Sequence, residues 1–163
     1  MTTQSAHRIP PARVVAAGIA AAIAIAAAIT YGSVWGYGFL SWDDGYVIQS
    51  NPLIRSLSPS AIAGAFSRFD PELYTPFTTL SYQLDYALGG LHPTVFHTHN
   101  LLLHILNALL VCWLAKLLSG RSSVAILTGL LFALHPLNAE AVSWASARKD
   151  LLSGFFFLLS IVC

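Results

Sequence analysis

The residues best placed to do chemistry are two adjacent carboxylates, Asp43 and Asp44, lying just beyond a long apolar run in a chain with only 9% charged residues. Like charges side by side repel, so a chain has little structural reason to put such a pair beside an apolar run. A solvated turn or a helix N-cap accounts for the same residues, because Asp followed by Asp-Gly suits either. The local sequence does not choose between these readings.

Two further constellations carry polar groups into apolar surroundings. His97, Asn100, His104 and Asn107 are spaced by three, four and three, which puts them on one helical face. Polar side chains at membrane depth need partners and face the bundle or a water-filled cavity. Packing by interhelical hydrogen bonds explains His104 and Asn107, while His97 and Asn100, nearer the outer surface, are candidates to line a site. His97 and His99 face different ways on a helix, so no metal site is assigned. In the segment 135–150, Glu140, Trp144 and Arg148 recur every four residues, which predicts a short interfacial helix over 139–149 with these three on one face. Arg148 at the outer rim could grip a lipid phosphate through its planar fork. An intrahelical Glu140–Arg148 brace around Trp144, with Trp144 and Lys149 anchoring the interface, is the competing account.

The elements that must position these groups follow from composition. The 163 residues are 56% hydrophobic, with a mean hydropathy of +0.67. A soluble domain has about 25% charged residues, so the chain is expected to be an integral membrane protein. The net charge of +1 says nothing about nucleic acid, and no basic run of the kind that binds phosphate backbones is present, so no nucleic-acid partner is expected. Cys112 and Cys163 suggest neither a disulfide framework nor metal-ligand spacing.

Residues 1–13 form a polar tail with Arg8, Pro10, Pro11 and Arg13, expected to be cytoplasmic. The apolar run 14–34 is long enough to cross a membrane. It is read as a signal anchor, since it exceeds a usual signal core and no clear small-x-small site follows. Further spans are expected at 100–118 and 122–135, joined by a tight turn carrying Lys116 and Arg121, with Pro136 breaking the second. A fourth begins at Leu151 and ends at Cys163, short of the roughly 20 residues a bilayer takes. The expected fold is therefore all-α, multi-span and truncated, the amino-terminal fragment of a longer protein.

The loop 36–98 carries Asp43, Asp44, Asp70, Glu72 and Asp85 against Arg55 and Arg68. Two amphipathic helices are expected within it. One opens at Ser58-Pro59 and turns Ile62, Ala65, Phe66 and Phe69 to one side. The other covers 76–88, with Thr78, Ser81, Tyr82 and Asp85 on one face. Such helices lie in the interface plane. Basic residues in short loops place Arg8, Arg13, Lys116 and Arg121 inside and the acidic loop outside, with Arg148 and Lys149 counting mildly against.

Trp42-Asp43-Asp44, Asn51-Pro52, Tyr74 through Pro76, Leu80 through Tyr86, Phe96-His97, Asn100 through His104, Phe132 through Pro136, Glu140-Ala141-Val142 and Arg148 through Ser153 occur in an order that resembles a known family. The chain from Phe39 onward is similar to the amino-terminal part of bacterial membrane proteins with a glycosyltransferase C-type core and tetratricopeptide repeats, themselves similar to animal O-mannosyltransferases of that build. The resemblance implies a multi-pass protein of the bacterial inner membrane, its site facing the periplasm. It implies a sugar, often mannose, carried on a polyprenyl or dolichyl phosphate and moved to a protein Ser or Thr hydroxyl. The acidic motif of the first outer loop supplies the catalytic base, carried by position to Asp43 with Asp44 in support. Better-studied protein O-mannosyltransferases have Asp-Glu here.

The implied substrate-binding residues are Arg148, Lys149, Glu140, His97, Asn100 and Asp85. The leaving phosphate would meet positive charge from Arg148, Lys149, a divalent cation or a residue further along. A non-catalytic membrane scaffold attached to tetratricopeptide repeats is the rival reading, and it predicts that Asp43 tolerates substitution. A transporter, the remaining rival, would place charges nearer mid-span and show an internal repeat.

Overall fold

The protein is described here by a computed structural model that covers residues 12–69 and 73–163. Arg8, Pro10 and Pro11 of the expected cytoplasmic tail, and Asp70 and Glu72 of the acidic loop, lie outside the described residues. Among the described residues every regular element is helical.

Helix α1 (Ala12–Tyr31) is rich in Ala, the strongest helix former. It continues through a 3₁₀ turn, Gly32–Gly36, and the stretch Arg13–Gly36 is long and apolar enough to cross a membrane. So is α4 (Pro93–Ser119), which stops at Gly120, a left-handed residue at φ 66° whose N–H donates to Lys116 O at 2.9 Å. That conformation suits glycine because it has no Cβ to clash. Helix α5 (Ser122–Leu134) breaks at His135-Pro136, and the chain resumes at an angle of 48° through a 3₁₀ turn and α6 (Ala139–Ser143). The pair is long and apolar enough to cross a membrane only as one broken span. Helix α7 (Arg148–Val162) completes the bundle.

The structure corrects two boundaries. Helix α4 begins at Pro93, not at Asn100, because Pro93 presets the first helical turn after a reversal at Gly90 (φ 60°). His97 and Thr98 therefore belong to the helix rather than to the loop. The helix expected over 139–149 does not form. Helix α6 ends at Ser143, Trp144 is extended, Ala145–Ala147 make a 3₁₀ turn, and α7 opens at Arg148. Tertiary bonds compensate for the break. Asn100 Nδ2 donates to Trp144 O (2.8 Å), and the Tyr82 hydroxyl donates to Ala145 O (3.0 Å). Glu140, Trp144 and Arg148 consequently share no helical face.

Helices α1, α4, α5 and α6 enclose an apolar core that includes Ile23, Ala27, Leu101, Ala108, Ala133 and Val142. Gly129 lets α5 approach α4 closely, since a Cβ there would sit 2.7 Å from Cys112 Cβ. A second core of Ile48, Ile54, Tyr82, Phe96 and Ala145 lies beneath the acidic loop.

The two loop helices form as expected, α2 (Pro59–Ser67) capped by Ser58 Oγ and α3 (Pro76–Gly89) opened by a proline. Of the apolar set expected on α2, Ala65 is buried, while Phe66 and Phe69 stay exposed. On α3, Thr78, Tyr82 and Asp85 are buried against the bundle. Gln83 Nε2 donates to Leu53 O (2.9 Å) and Ala61 O (3.0 Å), which fastens the loop onto α3.

Candidate functional site

The two adjacent carboxylates have different surroundings. Asp44 is fully buried. Its Oδ2 accepts the Leu40 N–H at 2.9 Å, and its Oδ1 accepts the Ser146 N–H at 3.0 Å. Both oxygens therefore hold backbone, one within the loop and one across the fold on the turn before α7. Asp43 is half-buried, and its Oδ1 accepts the Tyr46 hydroxyl at 3.0 Å. The turn that separates them runs into a π-helical segment, Gly45–Gln49. A helical or π turn rotates neighbouring side chains by about 100°, so one carboxylate points into the fold as the other stays near the surface.

Behind Asp44 lies a buried polar cluster centred on Arg148, itself fully buried. Its Nε donates to Asn100 Oδ1 (2.7 Å), Nη2 to Phe96 O (2.7 Å), and Nη1 to Ser81 Oγ (3.3 Å) and to Asp85 Oδ2. The guanidinium also lies over the Tyr82 ring, 4.8 Å from its centroid. Asp85 is equally buried and accepts from His99 Nδ1 as well. Burial pushes the Asp85 carboxyl above its usual range, and the charges of Arg148 and His99 pull against that shift. Burial likewise raises the Tyr82 phenol.

This geometry corrects the expectation that Arg148, Asp85 and Asn100 face a substrate. Each of Arg148's nitrogens is engaged within the fold and the side chain is fully buried, so it presents no exposed donor to a lipid phosphate in this structure, and the Glu140 brace is absent. A guanidinium is costly to bury unless its donors are satisfied, and here α3 and α4 satisfy them. His99 was set aside on sequence because its ring faces away from His97 on α4. That orientation is what lets it reach Asp85 on α3.

The stripe on α4 resolves uniformly. His97 Nε2 donates to Gly38 O (3.4 Å), Asn100 to Trp144 O, His104 Nε2 to Ala133 O (3.0 Å) and Asn107 Nδ2 to Leu151 O (3.0 Å). Each side chain takes a backbone carbonyl on a different segment, so all four are packing contacts. His97 and Asn100 are therefore buried rather than lining an open site. In front of this cluster lies a groove of about 810 Å³, lined by Tyr37, Phe39, Leu40, Trp42, Glu140 and Trp144 among others. Glu140 is exposed on its wall. Lys149, half-buried at the head of α7, borders a smaller notch of about 200 Å³ with Thr75, Thr78 and Ser153.

Comparison with known proteins shows what the chain is similar to. The chain is 33% identical to "Protein O-mannosyl-transferase TMTC1" of Mus musculus over 165 residues, 95% of its own length. It is 47% identical over 90 residues to "Protein O-mannosyl-transferase tmtc2" of Xenopus laevis, and 38% identical over 90 residues to TMTC3 of Homo sapiens. The chain is a homologue of the TMTC protein O-mannosyl-transferases. It spans 17% of the mouse TMTC1 and 11% of the frog tmtc2, so it matches a small part of each. No protein-family profile matches it, and no solved structure does.

Within this TMTC-like chain the described residues contain no group of three or more His, Cys, Asp or Glu able to hold a metal ion. The divalent cation implied by the resemblance finds no such donor set among the described residues. His99 and the backbone N–H of Ser146 belong to the support of the site without any spacing signal to mark them, whereas Ser81 stands on the α3 face that the sequence marks. Tyr82 was marked by its place on the Asp85 face of α3.

Proposed function

We propose that this chain forms part of a membrane-embedded glycosyltransferase that moves a sugar, mannose by family likeness, from a polyprenyl or dolichyl phosphate to a protein Ser or Thr hydroxyl, with Asp43 as general base. The observation that carries the reading is the divergence of the acidic pair. Asp44 has both oxygens committed to backbone N–H groups. Asp43 is the half-exposed member and neighbours Trp42 on the groove wall. Asp44 is then a positioning residue that ties the loop to the turn before α7.

In the reaction the acceptor oxygen attacks the anomeric carbon while its proton passes to Asp43. The bond from that carbon to the phosphate oxygen breaks, and its electron pair leaves with the lipid phosphate. A single displacement of this kind inverts the anomeric centre. A positioned base contributes about 100- to 10,000-fold. With Arg148 engaged inside the fold, positive charge for the leaving phosphate falls to a residue further along the parent or to Lys149, which makes no ion pair among the described residues but borders the smaller notch and not the groove. The exposed aromatic and apolar side chains of the groove, Tyr37, Leu40 and Trp42, suit an amphiphilic donor. Glu140 on the same wall is the candidate to hydrogen-bond sugar hydroxyls. The charge bias of the short loops supports an outward-facing site with Arg13 on the cytoplasmic side.

The test uses the full-length parent in membranes, with radiolabelled polyprenyl-phosphate mannose and total cell protein as acceptor. Asp43→Asn is expected to lose at least 100-fold of the transfer while remaining inserted. Asp44→Asn is expected to lose transfer together with stability. Wild-type transfer by Asp43→Asn would overturn the base assignment, equal transfer by both variants and wild type would show that the acidic pair is not catalytic, and no transfer by the wild type from any lipid-linked sugar would favour the scaffold reading.

A further inference from the structure

A second groove, independent of the transfer chemistry, opens between α1, α4 and α5. It measures about 840 Å³ and is walled by Val15, Ala16, Ile19, Leu109, Trp113 and Ile126. Its lining includes one charged group, the exposed Lys116. Lys116 Nζ donates to Gly120 O (2.8 Å) and Ser122 Oγ (3.1 Å), which holds the ammonium at the α4–α5 turn. An ammonium has three donors, so one remains for a further acceptor.

The charge around this end of the bundle is of one sign. Arg13 stands at the head of α1, two residues before Val15, and Arg121 directly precedes α5. The described carboxylates lie elsewhere. Asp43 and Asp44 follow the opposite end of α1, Asp85 pairs with Arg148 near the head of α4, and Glu140 and Asp150 come after the far end of α5. The Tyr31 hydroxyl donates to His135 O at 2.8 Å, which confirms that those far ends of α1 and α5 meet. A 20-residue helix such as α1 separates its ends by about 30 Å, so the acidic groups do not neutralise the basic end.

We propose that this groove holds one acyl chain of an anionic phospholipid, with the headgroup phosphate on the Lys116 ammonium and within the field of Arg13 and Arg121. Apolar walls accept the chain, and the basic rim selects the headgroup. Each basic residue near an anionic membrane surface contributes about 1 kcal/mol, or roughly five-fold in affinity. A neutral phospholipid satisfies the walls but not the rim. A transmembrane helix of a longer parent, or a second copy of the chain, would occupy the groove without needing the rim charge.

The test is native mass spectrometry of the full-length parent in mild detergent, offered dioleoyl phosphatidylglycerol or dioleoyl phosphatidylcholine. Wild type is expected to retain one phosphatidylglycerol with at least roughly five-fold preference. Lys116→Gln should lose that preference while keeping a lipid adduct. Ala16→Phe, at an exposed position that lines the groove, should lose the adduct, whereas Ala22→Phe, exposed outside the groove, should keep it. Equal retention of the two lipids by wild type, an unchanged adduct in Ala16→Phe, or a protein dimer in place of the adduct would overturn the proposal.

Discussion

Replacing Arg148 by methionine keeps much of the side chain's length and removes its charge. The substitution takes away the donors that now serve Asn100 Oδ1, Phe96 O, Ser81 Oγ and Asp85 Oδ2. Hydrogen bonds to charged groups contribute about 1.5–3 kcal/mol each, and they do not add when they share one side chain. Removing one partner of a buried ion pair costs about 3–5 kcal/mol, because the other charge is left uncompensated. His99 still contacts Asp85, which moderates the loss. The stacking over Tyr82 at 4.8 Å adds about 1 kcal/mol in the other direction. The expected cost is therefore about 4 kcal/mol.

The double variant Arg148→Met with Asp85→Leu removes both charges and is expected to recover about 2 kcal/mol, a coupling typical of residues in direct contact. Unfolding by SDS in mixed micelles, followed by the fluorescence of the four tryptophans, measures both. A loss below about 1 kcal/mol in the single variant, with no recovery in the double, would refute the buried lock. Such a result together with a selective fall in transfer would return Arg148 to phosphate binding.

Three further outcomes follow from the same contacts. Asp44→Ala strips the acceptors of the Leu40 and Ser146 N–H groups and should cost about 3 kcal/mol in the same assay. Asp44→Asn, which keeps one acceptor oxygen, should cost less. Gly129→Val sets a Cβ 2.7 Å from Cys112 Cβ and 3.4 Å from its Cα, which no rotamer relieves. It should cost about 1–3 kcal/mol by forcing α4 and α5 apart, and wild-type stability would contradict that packing. Tyr82→Phe removes the bond to Ala145 O and should cost about 1 kcal/mol, with amide exchange rising across 145–147 as the accompanying sign.

Much of the architecture was legible because helices in an apolar chain declare themselves by length and by their stop residues. The helical extents of α1 and α5 and the proline that opens α2 needed no partner to be recognised. The misplacements have a common cause. The period of Glu140, Trp144 and Arg148 is a valid helical signal, yet the segment breaks at Trp144, where Asn100 and Tyr82 donate to the carbonyls of Trp144 and Ala145 from other helices. Local pattern was outweighed by contacts from 44 and 63 residues away.

The acidic pair shows the same division. Sequence alone determined that this is an apolar, all-helical chain with its carboxylates gathered beyond the first span, and the residue types near Asp43 carried the resemblance to the family. Which carboxylate is buried, and whether Arg148 faces a ligand or the core, depended on neighbours brought together by folding. Asp44 meets Ser146 across 102 positions, and Arg148 meets Asp85 across 63. Burial and hydrogen-bond satisfaction are properties of such distant neighbours, so only the tertiary structure could decide them.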